Sequence, residues 1–379
     1  VLALLSLGVA AALQLGKVPP ALLAIAAEFG VGLPWAAALL SSFAFVAALA
    51  GLAAGLAAAR AGERRALLGG AAVLGAAGLG AAAAPSLPWL YAARAVEGLA
   101  YLALTVSAPT LLAARVAERD RNLALSLWST FMPAGISLGM LAAPLLDLLG
   151  WRAVWAGSSV LVWAALLAAL FVLPRQAGGP ARAEGALGAA VLRLFRARLP
   201  LLVALCFGAY ALTYFGIAGF LPAFLMDAHG VGLGVAGLVG ALAAVANLCG
   251  NLAAARMMRA GVAPSRIVLL LGVAMAVLAA ASYALPLPWS AAFAVAVAAS
   301  GIGGAVPASL FALVPRSVPE AGLTGPAMGL VIQCNNLGQL VGPLMIAAAA
   351  EAAWPLVALP LLAAGTVLLL AARPLQRIG

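Results

Sequence analysis

The chain has 379 residues, of which 66% are hydrophobic and 8% charged, with a formal charge of +10 and a mean hydropathy of +1.17. Soluble domains carry about 25% charged residues, so a water-soluble globular fold is excluded. The apolar runs reach or pass the ~20 residues an α-helix needs to cross a bilayer. Lipid offers the backbone no hydrogen-bond partner, which leaves helices or a closed barrel. The runs are too continuously apolar for barrel strands, so the chain reads as a polytopic helical membrane protein.

Twelve spans are expected, at 2–27, 33–59, 66–85, 88–114, 123–147, 152–173, 199–226, 234–258, 265–285, 288–314, 324–349 and 354–372. Several are longer than a perpendicular crossing requires, which implies tilt. Span 1 continues past Lys17 to full length and lacks a basic leading region, so it is not read as a signal peptide, and a short native tail is expected ahead of it. Lys17 is followed by Pro19 and Pro20, which remove two backbone donors and bend the helix. The freed carbonyls need partners at a cavity or a packed hinge. Span 2 ends in Leu-Ala-Ala-Ala-Arg, Leu56–Arg60, and span 4 holds Arg94 and Glu97. Span 5 contributes Trp128 and Ser129.

After span 6, the stretch PRQAGGPARAEGALGAAVLRLFRAR at 174–198 is rich in Gly, Pro and charge. It reads as a cytoplasmic linker with an amphipathic piece at Leu187–Arg198. It divides the chain into an N-terminal six-helix bundle, 1–173, and a C-terminal one, 199–379. Span 7 then carries Tyr210, Thr213 and Tyr214, span 8 carries Asn247 and Asn251, and span 11 carries Gln333, Asn335, Asn336 and Gln339. Cys206, Cys249 and Cys334 lie in apolar runs without paired spacing and read as small core residues.

The basic charge is a topology signal and not a nucleic-acid footprint. With the N-terminus in the cytoplasm, the cytoplasmic connections hold Arg60, Arg64, Arg65, Arg115, Arg119, Arg121, Arg175, Arg182, Arg193, Arg196, Arg198, Arg256, Arg259, Arg266, Arg316, Arg373 and Arg377. The opposite side holds Arg152 alone. Both termini are therefore expected in the cytoplasm, and most loop arginines are expected to contact headgroups.

Two internal matches favour duplication of a six-helix unit. Leu-Ala-Ala-Ala-Arg recurs at Leu252–Arg256, at the end of span 8. Span 5 and span 11 share Ala124/Ala327, Leu127/Leu330, Gly135/Gly338 and Gly139/Gly342. Each match sets span n opposite span n+6. Glycine-rich stretches such as GGAAVLGAAGLG are small-residue packing surfaces, not phosphate loops.

Along essentially its whole length the chain resembles a major facilitator superfamily transporter. Gly55, Arg60, Gly62, Arg64 and Arg65 fit the superfamily's motif between spans 2 and 3, a conformational motif, but Ala59 stands where an Asp is usual. That departure puts in doubt the charge contact which latches the halves in relatives. RAVEG at Arg94–Gly98 resembles the Arg-x-x-x-Gly signature of span 4. The tract 124–155 is similar to the bacterial cyanate/nitroimidazole permease group. The resemblance implies an all-α fold of two pseudo-symmetric six-helix bundles, with spans 3, 6, 9 and 12 away from a central cavity. It also implies a monomer in the bacterial inner membrane, a small-molecule substrate and no cofactor. No enzyme is expected, since the spans hold no His or Cys dyad, metal cluster or paired carboxylates. Met226, His229, Met257 and Met258 lack an ordered ligand spacing, so no metal is expected either.

Three charges sit well inside spans: Lys17, Arg94 and Glu97. Each costs at least about 2.5–3.5 kcal/mol at a helix centre, so each needs a wet cavity or a partner. Arg94 and Glu97 are three apart on one face and can pair directly, a structural alternative to a cavity role. Lys17 lies about 22 Å into its span, beyond the midplane, which weakens the alternative that it snorkels outward. If all three line the cavity, their sum of +1 favours a small anion, with Lys17 as a point charge and Arg94 as a fork. Glu97 is then the one obvious side chain for proton coupling. On the other side Trp128, Tyr210, Tyr214, Asn247, Gln333 and Asn336 are candidate substrate contacts, although buried amides also simply join helices. The expected function is secondary active transport of a small anionic solute by alternating access; the alternative is a multidrug or metabolite exporter of the same superfamily.

Overall fold

The computed structural model describes residues 2–116, 128, 130–173, 196–319 and 324–378. Span 1 is helical over Leu2–Gly16 and Leu22–Phe29, joined by a 3-10 turn at Pro19–Ala21. Span 2 is Leu33–Ala61, span 3 Glu63–Ala82 and span 4 Leu87–Arg115. Span 5 comprises Phe131–Leu141 and the first turns of the helix Ala143–Val172. Gly150 breaks that helix with φ 76°, and span 6 follows it. The boundary between spans 5 and 6 is thus a single glycine in a conformation other residues disfavour, not a loop.

Spans 7, 8 and 9 are Arg198–His229, Leu233–Arg259 and Pro264–Ala284. Span 10 joins Trp289–Gly303 to Ala305–Ser317, span 11 is Thr324–Ala352, and span 12 is Ala358–Leu375 behind a 3-10 turn. The architecture is a twelve-helix, all-α membrane fold of two six-helix bundles. The expected linker at 174–195 and Ser129 lie outside the described residues, as do the side chains of Gly55 and Arg60.

The two halves repeat each other in packing more clearly than in sequence. Gly135 and Gly139 of span 5 bring its backbone against span 1 at Val9, Leu13 and Gly16; Gly338 and Gly342 of span 11 do the same against span 7 at Gly208 and Leu212. A Cβ on Gly98 would collide with the Phe43 carbonyl of span 2, and one on Gly304 with the Asn247 carbonyl of span 8. Spans 1 and 7 end alike. Gly30 and Gly230 take left-handed φ values of 63° and 64°, and the amides of Val31 and Val231 close back on Ala26 and Leu225 at 3.0 Å. Gly-Val-Gly-Leu occurs at both places, 30–33 and 230–233. Trp151 donates to Glu28 at 2.5 Å from span 6 to span 1, and Trp354 donates to Asp227 at 2.7 Å from span 12 to span 7.

The start of span 1 and the ends of spans 2, 4, 6, 8, 10 and 12 mark one end of the bundle, here the terminal face. The described close contacts between halves lie toward the opposite, far face. Met140 and Ala143 pack on Gly237, Pro144 on Gly234, and Leu40 on Gly219. Ser137 donates to the Ala241 carbonyl at 3.3 Å. At the outermost level Glu351 of span 11 lies against Gly32, at the start of span 2.

Replacing Gly98 by Ala should therefore cost ~1–3 kcal/mol by overpacking a helix crossing. Gly80→Ala, where a Cβ meets open space, is the matched control. Thermal unfolding in detergent should show a lowered Tm for Gly98→Ala and none for Gly80→Ala; equal Tm values would contradict the crossing.

Candidate functional site

The site begins with a backbone defect. In an unbroken helix the Val18 amide would bond to the Gln14 carbonyl; here it bonds to Leu15 at 3.3 Å, and Ala21 bonds to Val18 at 2.9 Å. The prolines withdraw the donors that would meet Leu15 and Gly16, and the tighter turn that replaces them leaves the carbonyls of Gln14 and Lys17 without helical partners. Neighbouring spans supply them. Arg94 Nη1 donates to the Gln14 carbonyl at 3.0 Å, and Trp155 Nε1 donates to the Lys17 carbonyl at 3.4 Å. The kink in span 1 is a packed hinge.

The same residues form an ionic cluster. Lys17 Nζ lies 3.0 Å from Glu97 Oε1, while Arg94 Nη1 donates to Glu97 Oε2. Lys17 Nζ also donates to Gln14 Oε1 at 2.5 Å. The Gln14 amide is fixed in turn by span 6: its Nε2 donates to the Ser158 carbonyl at 3.0 Å, and Ser158 Oγ donates to its Oε1 at 3.1 Å. Arg94 Nε reaches the Leu39 carbonyl of span 2 at 3.3 Å, and its guanidinium lies 4.5 Å from the Phe43 ring. Lys17 Nζ lies 4.6 Å from the Trp155 ring, a cation–π contact strengthened by desolvation. Gly78 of span 3 makes room, since a Cβ there would stand 2.9 Å from Glu97 Oε1.

Lys17, Arg94, Glu97 and Gln14 are at most 1% exposed. Lys17 therefore does not snorkel, and the cluster is sealed from water and lipid in this state. Its formal sum is +1, a costly charge to hold in low dielectric. Arg94 Nη2 is buried without a hydrogen-bond partner among the described residues.

At the matching crossing of the C-terminal half the groups are neutral. Ser300 Oγ donates to the Ala243 carbonyl at 2.7 Å, as Arg94 does to that of Leu39. Asn247 Nδ2 donates to the Ser300 carbonyl at 3.0 Å and to the Tyr210 hydroxyl at 3.3 Å. Tyr210 and Tyr214 stack with centroids 5.9 Å apart. The Tyr214 hydroxyl is buried without a partner among the described residues. Tyr101 packs on Phe43 at 5.2 Å. An aromatic chain thus runs from Arg94 through Phe43 and Tyr101 to Phe131, within the N-terminal half.

The structure brings Lys17, Arg94 and Glu97 into one cluster, and Tyr210, Tyr214 and Asn247 into another. Trp128 stacks on Phe131 at 4.4 Å and packs against Gly8 of its own bundle. Gln333 is half-buried and Asn336 buried, and neither makes a side-chain hydrogen bond among the described residues. Gly62, with φ 88°, turns the chain from span 2 to span 3; Arg64 Nε donates to the Leu173 carbonyl at the end of span 6, at 3.2 Å. Sequence reasoning missed Gln14, Phe43, Tyr101, Trp155 and Ser158. Gln14 was detectable, being an amide three residues before Lys17 on the same face, and Tyr101 lies two turns beyond Arg94. A groove lined by Ala77, Gly80, Trp89, Ala92, Ala93 and Val96 opens between spans 3 and 4, but its lining is wholly apolar.

A family model described as Major Facilitator Superfamily matches residues 4–343. Among solved structures, a bacterial homologue of the human lysosomal transporter Spinster, inward-facing and occupied, matches with TM-score 0.73 at 17% identity, covering 99% of this chain and 96% of that one. The inward-facing, unoccupied form of that homologue gives TM-score 0.72 at 17% identity, over 99% and 97% of the two chains. A D-xylose-proton symporter matches with TM-score 0.73 at 17% identity, over 100% and 96%. Among curated protein sequences, none matches the chain significantly.

Removing Glu97 should strand Arg94, and Lys17 whenever it is protonated, as buried cations without a counter-charge. Glu97→Gln is expected to cost about 3–5 kcal/mol, and Lys17→Met added to it should restore part of the loss by taking one of those cations away. Unfolding midpoints of the single and double variants decide this; a double variant no more stable than Glu97→Gln would contradict the charge accounting.

Proposed function

The chain belongs to the Major Facilitator Superfamily and is a membrane transporter of that family; from that premise we propose that it carries a small anionic solute by alternating access. The observation that supports an anion is the buried cluster. Two cations share one carboxylate, and one guanidinium nitrogen is left unspent. A bound anion would bring the sum to zero and give Arg94 Nη2 an acceptor. The Tyr214 hydroxyl, equally unspent, is the proposed second contact, with Tyr210 stacked on its ring and Asn247 bonded to Tyr210. Trp128, Gln333 and Asn336 belong to the walls in this reading. The aromatic side chains of both halves, Phe43 and Tyr101 in one and Tyr210 and Tyr214 in the other, suit an anion with an apolar body.

The far face carries the contacts that join the halves, while the terminal face is the proposed open side. On span 11, Gln339, Asn336 and Ile332 follow one helix face toward the terminal end, and exposure rises from 8% and 9% to 36%. Pro343 and Ile346, deeper on that face, are buried. The arginine bias of the terminal face supports a cytoplasmic location for it and for both termini. The halves, 1–173 and 199–379, would rock about the crossings of span 2 with 11 and span 5 with 8, and the solute would bias the two states through differential contacts.

The test is a thermal-shift series with formate, acetate, nitrate and thiocyanate on the purified protein, repeated on Tyr214→Phe. At least one anion should raise the Tm of the wild type. Tyr214→Phe should keep or raise the ligand-free Tm, because it removes an unpaired buried hydroxyl. It should weaken anion affinity about 2–10-fold, the loss of one hydrogen bond. Failure of all four anions, or stabilisation by lipophilic cations instead, would favour the exporter reading.

A further inference from the structure

We infer that Lys17, and not Glu97, is the group that takes up and releases the proton of the transport cycle, so that one proton on Lys17 crosses with one anion. The inference rests on the anion reading for its second half and on the cluster alone for its first.

The sequence supplies the first observation. The chain has twenty basic residues, of which nineteen are arginines; Lys17 is its sole lysine. Arginine serves at every loop and at the second buried position, Arg94. Guanidinium cannot be deprotonated in a protein, whereas a buried ammonium can. The one departure from arginine thus falls at a buried position where the loss of a proton would be useful.

The geometry supplies the second. Glu97 has both oxygens engaged by cations, Oε1 by Lys17 and Oε2 by Arg94, and protonating it would leave those two positive charges buried without a counter-ion. Deprotonating Lys17 does the reverse. It leaves Arg94 and Glu97 as a balanced pair. Lys17 Nζ makes two hydrogen bonds among the described residues, to Gln14 Oε1 at 2.5 Å and to Glu97 Oε1 at 3.0 Å. A neutral amine has two N–H groups and can keep both bonds, so losing the proton need cost none of these contacts.

Among the described residues no other titratable group competes. Arg94 and Glu97 are the charged groups that act on Lys17. Span 2 presents Leu39 and Phe43 to the cluster, span 3 Gly78, span 5 the backbone at Gly139, and span 6 Trp155 and Ser158. From the C-terminal half, Leu40 of span 2 meets Gly219, and the polar groups at the matching crossing are Ser300, Asn247 and Tyr210, none of them an acid or base in the neutral range.

The charge balance then couples the two loads. Empty, the cluster is neutral with Lys17 as the amine. Loaded, it is neutral with Lys17 as the ammonium and an anion beside Arg94. An anion without the proton, or the proton without an anion, leaves one uncompensated charge in a sealed site. Binding of each therefore favours the other, reciprocally. The step is a proton transfer from water to the Lys17 amine when the site is open, and back to water on the other side; the anion and proton move as an electroneutral pair.

A sole lysine makes the test direct. The full chain, labelled with 13Cε,15Nζ-lysine and held in lipid nanodiscs, gives one lysine side-chain signal. Across the pH range in which the protein stays folded, that signal should switch between its ammonium and amine positions. Adding formate, acetate, nitrate or thiocyanate to the amine form should return it to ammonium for any anion that raises the Tm. A signal fixed at the ammonium position throughout would overturn the inference. A signal that titrates but ignores all four anions would keep Lys17 as the proton site and remove the anion reading. In proteoliposomes, Lys17→Arg should reduce uptake driven by a pH gradient at least tenfold more than it reduces anion exchange; equal losses in the two assays, or undiminished gradient-driven uptake, would equally overturn it.

Discussion

Three charges that cannot reach water hold the N-terminal bundle together at the point where its first helix breaks. Pro19 and Pro20 open the backbone of span 1, and the two carbonyls left free by the tighter turn are taken by Arg94 and Trp155. That places Arg94 beside its own Glu97 and brings Lys17 onto the other carboxylate oxygen. Breaking one member of such a group strands the rest in low dielectric, so spans 1, 4 and 6 are bound to one another through a single carboxylate and a single amide. The hinge and the charge site are the same object, and a change in the cluster's charge acts directly on the bend of span 1.

The halves share a plan but not a chemistry. The crossing of spans 2 and 4 and that of spans 8 and 10 are both set by a glycine pressed on a carbonyl, and in each a side chain one turn earlier donates to a second carbonyl. In the first half that donor is Arg94 and in the second Ser300. At the place of Glu97 the second half has Gly303, against which the Met275 side chain packs. The result is a charged crossing in one half and a crossing of hydroxyls and an amide in the other. In the proposed reading, such asymmetry on a symmetric frame would let one half bind charge while the other shapes the solute.

Much of the fold was legible because its cause is local. Twenty apolar residues between charged or Gly/Pro punctuation leave a chain in lipid one option, and the spans fall within a few residues of expectation. The repeat was legible for a less direct reason. Gly135/Gly338 and Gly139/Gly342 coincide in sequence because the same helix contact needs them. The two Leu-Ala-Ala-Ala-Arg strings close their helices but are about two turns out of step with the helix crossings, while Gly-Val-Gly-Leu, which went unremarked, marks the same turn in both halves. At the site, the charges announced themselves by cost. Of their partners, only Gln14 carried a signal, its spacing from Lys17; Ser158 and Trp155 matter through tertiary placement, and a serine and a tryptophan in apolar runs carry no pattern of their own. Nor does sequence reveal that Glu97 is fully occupied, which is what moves the proton from the acid to the lysine.

The central claim is that the sealed cluster, two basic groups on one carboxylate, takes an anion at Arg94 when Lys17 carries its proton. Anomalous diffraction from crystals grown in bromide tests it most directly. The account predicts a bromide peak within hydrogen-bonding distance of the Arg94 guanidinium, deep in the N-terminal bundle. Peaks confined to the arginines of the terminal face, with none at Arg94, would contradict it.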